Sequence, residues 1–227
     1  MHKLPMALLA VVMLAFTHAS VASPYEDYLK APSPESAFNY IHQVTTHQRC
    51  VNCHGVMKDG VQRPLVGEDS RLHPMNISAV HNLRLQVEGK KFVEIANSSQ
   101  PVNCRGCHQN TNGPTAGMPP GAANDLMPGF VWHMPPPTMI LSRTMTARQL
   151  CEQLLDPARN SFLAYRGGRN DLETFKKEFV HHVSDDPLVI WAWQPGPGRT
   201  AAPGTHPDLV AAMKLWINAG APCPTAS

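Results

Sequence analysis

The strongest constraint on this 227-residue chain is a five-residue pattern that occurs twice, Cys50-Val51-Asn52-Cys53-His54 and Cys104-Arg105-Gly106-Cys107-His108. Cysteines three positions apart face the same way on one helical turn, and the histidine that follows continues that turn. C-x-x-C-H is the pattern that attaches a c-type haem: each thiol adds across one vinyl group of the porphyrin, and the histidine becomes the proximal iron ligand. A chain carrying two copies has to fold around two large, rigid, apolar groups.

Two other readings of paired C-x-x-C motifs are a zinc site and a disulfide framework. Against zinc stand the histidine after both motifs and the 50 residues between Cys53 and Cys104, well beyond the roughly 15–20 of a zinc module. The N-terminus argues in the same direction. Met1-His2-Lys3, an apolar run from Leu4 to Phe16, and small residues up to Ala22 have the form of a secretory signal peptide. Ser20 and Ala22 suit the positions three before and one before the cut, giving a leader of residues 1–22. The apolar run is shorter than the ~20 residues of a membrane span, and no other stretch approaches that length. The expectation is a periplasmic protein of residues 23–227 with no integral membrane segment after cleavage.

In these residues the chain resembles the c-type cytochromes, the dihaem ones in particular. The resemblance implies thioether roles for Cys50, Cys53, Cys104 and Cys107 with two haem c groups, and proximal iron ligation by His54 and His108. Leu215-Trp216-Ile217-Asn218-Ala219-Gly220-Ala221-Pro222 also looks like the closing helix of many cytochrome c domains, which packs beside the haem. As a whole, the mature chain resembles small haem proteins catalogued as subunits of isoquinoline 1-oxidoreductase, a molybdenum hydroxylase. These likenesses imply an electron-transfer protein whose partner is a periplasmic redox protein or a dehydrogenase subunit. Two other readings stand beside it: an enzyme of the dihaem peroxidase type with one open iron, and a haem-based sensor or structural subunit of a larger complex.

Charge adds little. The formal net charge of +2 falls to +1 when Lys3 leaves with the leader. There is no basic face for nucleic acid and no charge block marking a disordered tail. Length allows one domain or two small ones, here a dihaem domain with a subdomain boundary, if any, near 95–100. With 22 prolines, 15 glycines and few aromatics, the expected fold is mainly α with much irregular Pro/Gly-rich loop, cytochrome c-like helices packed around the haems, and dependence on the cofactors for its core.

Ser33-Pro34-Glu35 opens a helix running to about Thr46. Residues 55–75 read as loop, and 82–95 as a short β-hairpin about Glu88-Gly89-Lys90. The Pro/Gly-rich stretch 109–139 reads as ordered loop wrapping a haem. Thr146 caps a helix to Leu155, Asn170-Asp171 caps another to about Val183, Trp191 to Gly204 reads as loop, and Pro207 opens a last helix that ends at Gly220. The remaining cysteines, Cys151 and Cys223, suggest one disulfide in an oxidising compartment, two buried free thiols being the other reading.

The far side of each iron decides between a closed carrier and an open, reactive site. Candidate distal ligands are His133, His182, His73, His81 and Met134. His73 and His81 are expected over the first haem, and His133 inside the wrapping loop. His42, His47, His181 and His206 are weaker candidates, and Met75, Met118 and Met127 compete with Met134.

Overall fold

A computed structural model describes residues 21–74, 84–88, 91–95, 106–122, 132, 134–135, 137–160 and 172–225. Its helices are α1 (Pro24–Lys30), α2 (Pro34–Thr45), α3 (Gln48–His54), α4 (Ala147–Leu154), α5 (Leu172–Asp185), α6 (Pro187–Trp191) and α7 (His206–Asn218). Its strands are β1 (Val56–Lys58), β2 (Val61–Arg63), β3 (Leu65–Val66), β4 (Arg71–Leu72), β5 (Arg84–Glu88) and β6 (Lys91–Ile95). The protein is mainly helical, with three two-stranded antiparallel sheets among the described residues. No helix among them is long and apolar enough to cross a membrane.

The helices begin where local chemistry satisfies their first N–H groups. Ser33 Oγ accepts from Ser36 N at 3.1 Å, and Pro34 occupies the first turn of α2. Thr146 and Gln149 exchange side-chain bonds across the start of α4, at 3.2 and 2.9 Å. Thr205 Oγ1 accepts from Asp208 N at the head of α7. The Asn170-Asp171 cap expected for α5 lies outside the described residues, and α5 itself runs two residues past the expected end at Val183.

Two segments differ from expectation. Residues 55–75 are not plain loop: β1 and β2 form a hairpin closed by Asp59 (φ 54°) and Gly60 (φ 77°). Asp-Gly with positive φ at both positions matches the two-residue turn whose twist suits antiparallel strands. β3 and β4 follow as a second small ladder. The other difference is α6: Asp186 accepts from Leu188 N at 2.8 Å, and Pro187 starts a helix that carries Trp191. The β5–β6 hairpin forms in the expected stretch, pairing Glu88 with Lys91.

The core brings both ends of the chain together. Ala37, Phe38, Tyr40, Ile41 and Val44, at helical spacing on α2, face Leu209, Ala212, Met213, Trp216 and Ile217 of α7. Leu150 and Leu154 of α4, with Phe179 and Val183 of α5, complete it. The helices preceding the first motif therefore share one core with residues between 139 and 154 and between 179 and 221. The boundary considered near 95–100 falls almost wholly outside the described residues. Cys151, fully buried on α4, is bonded to Cys223 just beyond α7, with Cα atoms 5.5 Å apart.

Trp216 is the largest fully buried side chain. Its ring lies 4.8 Å from that of Phe38, and its Nε1–H donates to the Pro222 carbonyl at 2.9 Å. Trp216→Ala would leave a cavity and an unpaired carbonyl, and is expected to cost about 3–5 kcal/mol in chemical denaturation; a loss below about 1 kcal/mol would show that α7 is not a keystone of the core.

Candidate functional site

The first motif is the helix α3 itself. His47 caps it through Nδ1, which accepts from Arg49 N at 3.3 Å, and Arg49 to His54 follow without interruption. Cys50 and Cys53 sit one turn apart as free thiols. Dense protein around them pushes their pKa up, to about 12 and about 11, so both stay neutral. Asn52 Nδ2 donates to the Gly67 carbonyl at 2.9 Å, and the buried Gln62 donates through Nε2 to the His54 carbonyl at 2.9 Å. The β1–β2 and β3–β4 ladders thus clamp the motif from its C-terminal side.

The helix stops at Gly55, whose φ of 70° belongs to the region glycine tolerates best. A Cβ there would lie 2.3 Å from the Arg63 carbonyl oxygen and 3.1 Å from Met134 Cε. No side chain fits, so the turn that ends the motif is tied to glycine.

Both motif histidines are held in the same way. His54 Nδ1 donates to the Met139 carbonyl at 2.5 Å, and His108 Nδ1 donates to the Pro120 carbonyl at 2.8 Å. A proton placed on Nδ1 leaves Nε2 with its lone pair, the form of imidazole that binds a metal. Burial drives the His54 pKa down to about 4 against the opposing effect of the carbonyl, and lowers that of His108 by the same cause. Both rings are therefore neutral near pH 7.

In the second motif Cys104 and Arg105 lie outside the described residues, and Cys107 is exposed and free. Trp132 stacks on the His108 ring, with centroids 4.3 Å apart and planes at 14°. The edge of that stack meets Trp191 of α6 at 5.6 Å. Trp191 donates through Nε1 to Asn112 Oδ1 at 2.8 Å, and Asn112 in turn accepts from Gly121 N and donates to the Gln194 carbonyl. The segment after the second motif is thereby moored to α6 and the loop behind it. Neither the carbonyl partners nor Trp132 was anticipated. The one signal for them is a shared Met-Pro-Pro, at Met118-Pro119-Pro120 and Met134-Pro135-Pro136, ahead of or at each carbonyl.

The distal candidates divide by position. His182 acts electrostatically on His54, and its Nδ1 lies 3.2 Å from Asp186 Oδ2. Met134 brings its methyl beside Gly55, at the end of the first motif. His73 acts electrostatically on His108. His81 and His133 lie outside the described residues, as do Met75 and Met127. The weaker candidates have other partners: His42 Nε2 bonds the Met145 carbonyl, His206 Nε2 the Val183 carbonyl, and His181 pairs with Asp185.

A covalently attached haem asks for two thiols a turn apart and an imidazole with Nε2 free and Nδ1 bonded. The first motif meets both demands. The second meets the imidazole demand among its described residues. Two buried polar atoms on α3, Arg49 Nε and Asn52 Oδ1, have no hydrogen-bond partner. Among the described residues no cluster of three or more His, Cys, Asp or Glu side chains could hold a metal ion; a haem needs only one or two such ligands, since the porphyrin supplies the rest. No protein-family model, no curated protein and no solved structure matches this chain.

Proposed function

We propose that this chain is an exported dihaem c-type cytochrome that transfers electrons between a periplasmic redox enzyme and an acceptor. The observation that carries the reading is the repeated histidine geometry: each C-x-x-C-H histidine bonds a backbone carbonyl through Nδ1 and keeps Nε2 for a metal. Cys50 and Cys53 would hold one haem, and Cys104 and Cys107 the other, each S–H adding across a vinyl C=C with its hydrogen passing to carbon. When bound, the group supplies an iron that gains and loses one electron.

The residues of the chain do the rest. His54 and His108 would ligate the irons in fixed orientations, His54 by its carbonyl bond and His108 by its bond and the stacked Trp132. Met134 Cε lies beside Gly55 and the buried Gln62 bonds the His54 carbonyl, so both pack against the end of α3. As a second residue that would hold the first haem's iron we assign His182, because Asp186 engages its Nδ1 and it acts electrostatically on His54. In the likeness to isoquinoline 1-oxidoreductase subunits, the electron donor would be a molybdenum hydroxylase.

Mass spectrometry of the exported protein, with oxidised and reduced visible spectra, tests this reading. Two added haem masses and two low-spin, six-coordinate spectra are the expected result. No added mass would end it, and a high-spin haem that turns over peroxide would move the protein to the enzyme class. His182→Ala is expected to convert one haem of the pair to a high-spin form; spectra identical to the parent would remove His182 as a ligand.

A further inference from the structure

We infer that Asn112 is a positioning residue for the His108 imidazole: its side-chain amide aims the carbonyl that holds Nδ1 and braces the aromatic pair that covers the ring. The inference rests on the dihaem reading, in which His108 ligates an iron, and adds a residue that the C-x-x-C-H pattern does not include.

His108 Nδ1 donates to the Pro120 carbonyl at 2.8 Å. That carbonyl belongs to the peptide unit joining Pro120 to Gly121, and the N–H of the same unit donates to Asn112 Oδ1 at 3.2 Å. The unit is trans and planar, so its C=O and N–H point in opposite directions. Holding the N–H therefore fixes the line along which the carbonyl meets the histidine. Two hydrogen bonds in series through one amide also polarise each other, so each is stronger than it would be alone. The same oxygen reaches the other support of the ring. Asn112 Oδ1 accepts from Trp191 Nε1 at 2.8 Å. The Trp191 ring stands at 79° to that of Trp132, which in turn lies flat on His108. Asn112 Nδ2 donates to the Gln194 carbonyl at 2.8 Å, which turns the amide oxygen towards its two donors.

The packing around the amide is built for it. A Cβ on Gly196 (φ 81°) would lie 2.8 Å from Asn112 Cγ, and a Cβ on Gly121 would lie 2.2 Å from the Thr111 carbonyl oxygen. Asn112 thus fills a slot between the loop after the second motif and the loop after α6, and a side chain at either glycine would push it out of line. Its role has an electronic consequence with a definite sign. A hydrogen-bonded Nδ1–H makes an imidazole the stronger base at Nε2, and a stronger base favours ferric over ferrous iron. Weakening that bond favours the ferrous form. Loosening the loop without touching the bond acts the other way, because water admitted to a site favours the more highly charged ferric form. Positioning and mere support of the loop therefore predict shifts of opposite sign.

The test is a redox titration of Asn112→Leu and Asn112→Ala against the parent, with haem mass, the EPR spectrum of the ferric protein and amide exchange at Gly121 recorded for each. Leucine keeps the approximate volume of asparagine without its polar atoms. Alanine makes the same deletion without bulk against Gly196, and carries the test where the leucine variant does not fold. Both variants are expected to keep two haems and to exchange the Gly121 amide about tenfold faster. The g values of one of the two ferric signals are expected to change, since they follow the orientation of the ligand ring. That haem's reduction equilibrium is expected to shift about threefold towards ferrous, a rise of about 28 mV for one electron. Unchanged g values, or an unchanged potential, in a folded variant with two haems would overturn the proposal. A lowered potential would overturn it as well, and would mark Asn112 as a support of the loop alone. A parent protein lacking haem would overturn the reading beneath it instead.

Discussion

A C50A/C53A protein is expected to leave the cell with one added haem mass instead of two, and with its haem absorbance reduced by about half. On the dihaem reading the two thioethers would be the covalent bonds of the first site, and both thiols come from one turn of α3. With them gone, His54 retains its Met139 carbonyl bond and its free Nε2, but a single iron–nitrogen bond is reversible, and denaturation before mass analysis would release the group. The matching C104A/C107A protein is expected to lose the other haem. Finding two masses in either variant would dissociate that motif from attachment. The effect on folding is expected to be asymmetric. α3 lies between α2 and the β1–β4 ladders, and Val51 belongs to the main core. Loss of the first haem is therefore the more damaging to thermal stability, and equal melting of the two variants would count against it.

What was legible in the chain was local. Ser33-Pro34, Thr146 and Pro207 carry helix starts in their own chemistry, and Gly220 carries a helix end, so these boundaries could be read within a residue or two. Asp59-Gly60 carried an equally local hairpin signal that the apparent irregularity of residues 55–75 concealed. The α6 turn was hidden because Asp186-Pro187 reads as a helix stop as readily as a start. The motif thiols and histidines stood out because the C-x-x-C-H pattern compresses them into five positions. Their supports did not. The Met139 carbonyl that holds His54 lies 85 residues away, and backbone carbonyls have no residue signature.

Removing the disulfide is expected to lower stability by about 4 kcal/mol, because Cys151–Cys223 closes a loop of 72 residues and so restricts the unfolded chain far more than the folded one. A domain of this size is stable by only about 5–15 kcal/mol in total, so the loss is a large share of it. At about 2–4 °C per kcal/mol for a chain of this length, the melting point is expected to fall by about 8–16 °C. The double alanine variant is the right test. Cys151 is fully buried beside Leu150 and Leu154, and serine there would add the separate cost of a buried hydroxyl. The folded state gives the bond a second task. It fastens the residues after α7 to α4, on the side where Trp216 bonds the Pro222 carbonyl and Arg148 bonds that of Pro224. Without the bond, those terminal contacts have to hold the end of α7 by themselves, so amide exchange is expected to rise first in residues 219–225 and in α4, with α2 the slowest to follow. A melting point within about 2 °C of the parent would show that the terminal contacts suffice and that the unfolded chain gains little freedom when the bond is lost.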